Sequence, residues 1–198
     1  MARSSKRVIS LPPPQTRGQV SIEQVIAARR SRRSFAAVQV SEQALAQMLW
    51  AAQGITAENG GRTVPSAGSL NPLEIFVARG DGVLHYSPTQ HQCVGVRDDD
   101  IRPILWKHGL EQDVLRAAPC VFVISALFNR TRATYSVAAE RYVYIEAGHA
   151  AQNILLQAGA LGLAGVPIGA FDDDLPGELA LPGGEVPIYC VAVGSPRA

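Results

Sequence analysis

Arginine and serine crowd one short stretch, Arg29-Arg30-Ser31-Arg32-Arg33-Ser34-Phe35. Guanidinium forks with a hydroxyl between them suit a phosphate monoester, which needs charge-assisted donors from several directions. The same cations could instead complement the C-terminus of a preceding helix. A second stretch runs Arg62-Thr63-Val64-Pro65-Ser66-Ala67-Gly68-Ser69-Leu70-Asn71-Pro72. Its small residues let a backbone approach a flat ring or an anion, although an ordinary solvent loop has the same composition. A third is Val166-Pro167-Ile168-Gly169-Ala170-Phe171-Asp172, where glycine within a strand pattern marks close approach to a ligand or a bulge.

Other chemistries lack their residues. No G-x-x-x-x-G-K-[ST] occurs, and no G-x-G-x-x-G follows a strand, which speaks against a P-loop or a dinucleotide-binding Rossmann unit. Glu146 and His149 match the E-x-x-H of carboxylate-bridged metal sites, but those sites use two copies plus two further glutamates. One copy reads better as a hydrogen-bonded core histidine, and no metal is expected. Asp172-Asp173-Asp174 reads as the cap of a short helix. Cys93, Cys120 and Cys190 form no C-x-x-C pair, and the last two sit in apolar runs as small hydrophobes.

These segments need elements to hold them. Residues 1–19, with Pro12–Pro14 and Gly18, read as an extended arm, and residues 20–198 as one domain. Ser21 and Gln24 form a capping box, with Val20 and Val25 as its hydrophobic staple, and open a first helix. Ser41 opens a second, which Gly54 ends. Residues 56–71 read as loop, Leu73–Ala78 and Val83–Tyr86 as strands, and Asp98–Leu110 as a helix with Pro103 in its first turn. Cys120–Leu127 is a continuous apolar run, the mark of a strand covered on both faces. Residues 137–163 read as a long, central, buried helix, followed by short strands at Val166–Phe171 and Ile188–Val193. The pattern predicts a single α+β domain.

Composition narrows the class. Of 198 residues, 47% are hydrophobic and 18% charged, which is globular with a slight apolar surplus suited to a subunit interface. No apolar run reaches the ~20 residues of a membrane span, and no signal-peptide stretch opens the chain. With the unpaired cysteines, this predicts a cytoplasmic protein. Residues 1–33 carry Arg3, Lys6, Arg7, Arg17, Arg29, Arg30, Arg32 and Arg33 against Glu23, so a local +7 sits on a body of −6 within an overall +1. No aromatic residue precedes Phe35 to stack a base, so no nucleic-acid partner is expected.

Taken together, the stretches RRSRRSF (29–35), GGRTVPSAGSLNPLEIFV (60–77), GVLHYSPTQH (82–91), RYVYIEAGHAAQNILLQAGALGL (141–163), VPIGAFDDD (166–174) and PIYCVAVG (187–194) resemble the FMN-dependent nitroreductase superfamily. The likeness is greatest to its SagB-type branch of thiazole/oxazole-forming dehydrogenases. The resemblance implies an antiparallel or mixed sheet flanked by helices, a long central helix, and an intertwined homodimer with FMN at the subunit interface. It assigns Arg29, Arg30, Ser31 and Arg33 to the FMN phosphate, ribityl chain and pyrimidine edge. Pro65, Ser66, Ala67, Gly68 and Ser69 would reach the flavin of the neighbouring subunit. Pro167 and Ile168 lead into Gly169 and Ala170, whose backbone would face flavin N5. Gln112 falls near a ring contact, and Arg197 near a C-terminal phosphate ligand.

The implied activity is ping-pong reduction of nitroaromatic or quinone-like acceptors by NAD(P)H. Alternatives are a SagB-type dehydrogenase acting on a peptide-derived substrate, or a non-catalytic flavin-binding partner in a biosynthetic complex. Azoline-oxidising relatives carry a Lys-Tyr pair upstream of the long helix. Here the positions are Thr134 and Tyr135, which keeps Tyr135 as a candidate catalytic group and removes the lysine base.

Overall fold

Alternation along the strands decides the layering. The computed structural model describes residues 7–197, which leaves Arg3 and Lys6 outside it. Seven strands run β1 Val8–Ser10, β2 Leu73–Arg79, β3 Gly82–Ser87, β4 Gln92–Arg97, β5 Cys120–Ala126, β6 Ala164–Ile168 and β7 Val186–Gly194. They form one sheet in the order β1-β4-β3-β2-β5-β7-β6, each neighbouring pair antiparallel. On β2 and β5, Ile75, Val77, Phe122 and Ile124 face one layer, while Phe76, Ala78, Val121 and Val123 face the other. A strand whose odd and even residues are both apolar must be covered twice, and β5 is buried at every position.

The helices are α1 Ile22–Ala28, α2 Glu42–Gln53, α3 Arg102–His108, α4 Val114–Ala117, α5 Phe128–Tyr135, α6 Ala139–Ala160 and α7 Leu175–Leu179. Leu45, Met48 and Leu49 of α2 and Val143, Ala147, Ala150 and Ile154 of α6 cover one sheet face. Leu105 of α3, Leu115 of α4 and Leu175 and Leu179 of α7 cover the other. The expected α+β architecture is therefore present.

Local signals worked where side chains cap the backbone. Ser21 and Gln24 form the capping box, Ser41 Oγ accepts the Ala44 N–H, and Gly54 closes α2. Of the apolar residues around α1 only Val25 is buried; Val20, Ile22 and Ile26 are exposed. The long helix lies at the centre but keeps one open side, with Arg141, Tyr144, Ile145, Gly148, His149 and Gln152 exposed. Of the arm expected over residues 1–19, the described part pairs with the body. β1 lies along β4, Leu11 N donates to His91 O, and His91 Nε2 lies 2.8 Å from Pro12 O.

Two expectations need correcting. His149 is not a core histidine, because its ring stands on the open side of α6. The aspartate run caps α7 through Asp172, whose Oδ1 accepts the Asp174 N–H; Asp174, at the N-cap, makes no side-chain cap of its own. Among the described residues no three metal-binding side chains cluster, and no helix is long and apolar enough to cross a membrane. The three cysteines are buried and free, and burial pushes the thiols of Cys93 and Cys120 up to about 12.

Candidate functional site

Helix α1 stops at Arg29, whose N–H still bonds Val25 O at 2.9 Å while its backbone turns extended. Arg30 folds its guanidinium back onto Ala27 O (3.0 Å) and Arg29 O (2.7 Å), so this residue completes the helix terminus. The chain then runs along β6 and the C-terminal tail. Ser31 bridges Gly165, Arg32 N donates to Gly165 O, Ala36 N to Ser195 O, and Arg197 N to Ser34 O. Both crossings are tightly packed. A Cβ on Gly165 would stand 2.9 Å from Leu155 Cδ2, and one on Gly194 would stand 2.7 Å from Pro119 Cδ and 2.9 Å from Phe35 Cβ.

Most other arginines of the chain are neutralised: Arg7, Arg79, Arg97, Arg102, Arg116, Arg130 and Arg132 each pair with a carboxylate. Among the described residues no carboxylate pairs with Arg29, Arg32, Arg33 or Arg197. Four unpaired cations carried on one loop and the tail stitched to it can take an anionic group of more than one charge.

β6 delivers the next segment. Ile168 is buried, so it can offer a ligand only its backbone, whereas Gly169 and Ala170 emerge exposed at the strand end. The turn that follows is clamped to α3. Asp172 N donates to His108 O, and His108 Nδ1 lies 2.6 Å from Asp172 Oδ1. His108 Nε2 is 3.2 Å from Glu178 Oε2, which Lys107 also holds through Oε1 at 2.7 Å. The hydrogen bond from Asp172 raises the His108 pKa, and that from His108 lowers Asp172; Lys107 and His108 lower Glu178. Gln112 lies in the turn between α3 and α4, where its Nε2 donates to Gly109 O.

The Pro65–Asn71 segment is held in an unusual backbone. Gly68, Ser69 and Asn71 have φ of 60°, 56° and 46°, and two of these are not glycine. Such strain persists only where neighbours enforce it. Asn71 N donates to Ser66 Oγ (2.9 Å), Asn71 Nδ2 to Ser69 O (2.7 Å), and Arg130 Nη1 to Asn71 O (2.9 Å). Arg130 is itself anchored by Glu74, which also meets His85 Nε2 at 2.8 Å. Tyr135 packs against this segment from α5; its Oη stands 2.9 Å from where a Cβ on Gly68 would be. Tyr142 meets the Tyr135 ring edge-on at 5.0 Å.

Beside the segment lies a cleft of about 270 Å³ lined by Pro65, Ser66, Ala67, Tyr142, Ile145, Glu146 and His149. Glu146 is only 3% exposed, and its Oε1 has no hydrogen-bond partner among the described residues. Burial raises its pKa against the opposing pull of nearby Ser66, Arg62 and Gln53. Arg62 Nη1 donates to Gln53 Oε1 at 2.6 Å, leaving the buried Gln53 Nε2 unpartnered as well.

No hydrogen bond or ion pair among the described residues joins this segment to the basic loop. The chain thus presents two groups of candidate residues. The first brings Arg29, Ser31, Arg33 and Arg197 into one neighbourhood and hangs Gly169 and Ala170 from the same strand as its Gly165 contact; the second carries Pro65–Ser69 with Tyr135.

A profile of the nitroreductase family matches residues 26–195. The chain belongs to the nitroreductase family. A family member from Methanocaldococcus jannaschii is 38% identical over 182 residues, covering 89% of this chain and 91% of that protein. A solved nitroreductase-family structure from Ralstonia eutropha superposes with a TM-score of 0.88 at 28% identity, covering 100% of this chain and 93% of that one. One from Desulfovibrio desulfuricans, described as a complex with FMN, has a TM-score of 0.67 at 24% identity, covering 91% and 88%. Family membership makes the chain an oxidoreductase by class.

Sequence reasoning missed the supports of the second group. Arg130 and Glu74 carry no motif, and α5, which brings Tyr135, follows a strand without a capping signal. The E-x-x-H spacing did flag Glu146 and His149, but as a core feature rather than as the lining of a cleft.

Proposed function

We propose that the protein is an FMN-dependent oxidoreductase that takes reducing equivalents from NAD(P)H and passes them to flat, electron-poor acceptors such as nitroaromatics or quinones, by a ping-pong mechanism. The observation that carries this reading is the set of unpaired arginines on the loop and tail joined to β6, the strand that ends in the exposed Gly169–Ala170 backbone. A dianionic phosphate fits the first, and a flat ring system fits the second, whose two residues carry nothing larger than a methyl group. FMN joins both chemistries in one molecule, and it is the group described in the Desulfovibrio relative.

In this reading Arg29, Ser31 and Arg197 hold the phosphate and ribityl oxygens, and Arg33 lies at the pyrimidine edge. A cation there favours added negative charge on the ring. The Gly169 and Ala170 backbone supplies a hydrogen-bond donor at the reactive nitrogen. When bound, FMN supplies the two-electron chemistry. Arg30 supports the loop by holding the end of α1, and Ile168 by anchoring β6.

We assign the Pro65–Ser69 segment to the site of a second copy, so that residues 20–198 form an FMN-binding domain complete only as a homodimer. The exposed side of α6 and the exposed Val20, Ile22 and Ile26 give such a copy apolar surface to cover. Peptide oxidation by a SagB-type route is less well served, because Thr134 cannot act as the base that a lysine would be. Tyr135 is then a packing partner of the Gly68 turn with its hydroxyl beside the site. Anaerobic stopped-flow mixing of purified protein with NAD(P)H tests the assignment. Rapid bleaching of the flavin absorbance is expected, and a protein that stays colourless with added FMN refutes it.

A further inference from the structure

Two residues in the turn between α3 and α4 break a backbone rule without any reward in packing. Leu110 and Glu111 have φ of 55° and 53°, a left-handed conformation that glycine and asparagine take readily and leucine does not. Leu110 is also 66% exposed, so burial does not account for it, and Glu111 is exposed beside it. The conformation is enforced from both sides. Glu111 N donates to Trp106 O (2.9 Å), Gln112 N and Nε2 both donate to Gly109 O (3.3 and 3.0 Å), and Leu115 leaves no room for a Cβ on Gly109. Arg116 of α4 lies over the Trp106 ring of α3 at 4.3 Å. A strained backbone that its neighbours over-determine points to a use for the side chain it displays.

The place of this turn bears on that use. Asp172 ties the end of α3 to the turn after β6, through its N–H to His108 O (3.0 Å) and its Oδ1 to His108 Nδ1 (2.6 Å). Leu110 follows one partner of this tie by two residues, and Ala170 precedes the other by two. Leu105 of α3 and Leu115 of α4 pack with Ile168 of β6 on one sheet face, whereas α6 covers the other. Leu110 therefore belongs to the layer away from the α6 surface that we assign to a second copy.

We propose that Leu110 is a specificity-determining residue, an apolar wall for the electron acceptor beside Gly169–Ala170, and that with Glu111 it selects flat neutral acceptors over anionic ones. The inference rests on the reading of the protein as a flavin-dependent reductase with its ring at Gly169–Ala170. The hydrocarbon edge of a neutral acceptor is removed from water against the leucine side chain. A sulfonate or carboxylate substituent would lose water there without gaining a partner, and would meet the like charge of Glu111. Attraction for one class and repulsion of the other together set the selection.

Leu110→Asn removes the apolar side chain and keeps a residue that accepts the left-handed backbone. In the FMN-loaded protein, kcat/KM for 1,4-naphthoquinone divided by kcat/KM for its 2-sulfonate reports the selection. That ratio should fall about tenfold in Leu110→Asn, return in Leu110→Met and fall also in Glu111→Gln, while FMN content and reduction by NAD(P)H persist. Each variant is compared with wild type on the same two quinones, so their different potentials cancel. Thermal unfolding of the flavin-free protein supplies a second readout. Relief of the backbone strain should leave the Tm of Leu110→Asn unchanged or raise it by about 2–4 °C, whereas losing a leucine kept for packing would lower it.

An unchanged quinone ratio in Leu110→Asn, in a protein whose flavin NAD(P)H does bleach, overturns this proposal and leaves the proposed reaction standing. A Tm lowered by the substitution overturns it too, because the leucine is then held for packing. A protein that takes up no FMN overturns the proposed reaction and the acceptor wall with it. The two failures are therefore distinguishable.

Discussion

Replacing Gly68 by alanine tests whether Tyr135 and the Pro65–Ser69 turn are built as one unit. Gly68 has φ of 60°, where an L-residue costs roughly 1–2 kcal/mol. The added Cβ would also stand 2.9 Å from Tyr135 Oη and 3.4 Å from Cε2. Overpacking costs about 1–3 kcal/mol, and the half-buried Tyr135 tip can shift, which argues for the low end. The sum is roughly 2–3 kcal/mol, and at about 2–4 °C per kcal/mol for a chain of this size Tm should fall by roughly 4–12 °C. Chemical denaturation of Gly68→Ala, Tyr135→Phe and the double variant separates the two causes. In the Phe background the hydroxyl contact is gone, and only the backbone cost of about 1–2 kcal/mol should remain. A coupling near 1 kcal/mol is expected. Strictly additive variants would refute the contact, and an unchanged Gly68→Ala would refute the backbone argument too.

Arg29→Ala should weaken FMN binding by roughly ten- to a hundredfold, the worth of a charge-assisted hydrogen bond of about 1.5–3 kcal/mol. A fluorescence titration with unaltered affinity would give the basic loop another role. Light scattering across a dilution series, read beside flavin fluorescence, should show dimer and bound FMN lost together, because ligand and partner stabilise the same state. A monomer that retains FMN contradicts the shared site. His108→Gln should abolish a pH window of stability. The raised pKa of His108 makes its contribution full below about 6.5 and lost as pH rises through the folded value. Asp172 and Glu178, held low, lose theirs as pH falls through their folded values. A wild-type advantage that stays flat from acid to alkaline pH would refute the clamp.

How much of this was legible depended on where the information resides. Ser21, Gln24 and Ser41 announce their helices because capping is a contact between neighbours in sequence. The apolar run from Cys120 announces a covered strand for the same reason. β4, Gln92–Arg97, carries polar and small residues and earns its place by pairing with β3 and β1. Its partner β1 has three residues, too few to show a period. The basic loop was visible as an arginine cluster, yet the sequence could not separate Arg30, turned back to its helix, from Arg29, Arg32 and Arg33, left without carboxylates. That distinction is set by the distribution of Asp and Glu in space. His149 was misread because an alanine-rich helix looks buried on all sides, and only tertiary placement shows which side stays open.

The stitching of residues 31–36 to Gly165, Ser195 and Pro196, and of Ser34 to Arg197, has a consequence for the order of assembly. The arginines of the basic loop precede the sheet strands β2 to β7 in sequence, and the loop's long-range backbone partners, Gly165 and Ser195, follow most of them. During synthesis the loop must wait, cationic and without its strand, while the sheet grows from β2 to β5. Contacts so distant in sequence form late and slowly. The basic loop is therefore fixed only after β6 and the tail have joined the sheet. The N-terminal segment then acts as a clasp, adding β1 along β4 at one side of the sheet and bridging Ser31 to Gly165 of β6 at the other.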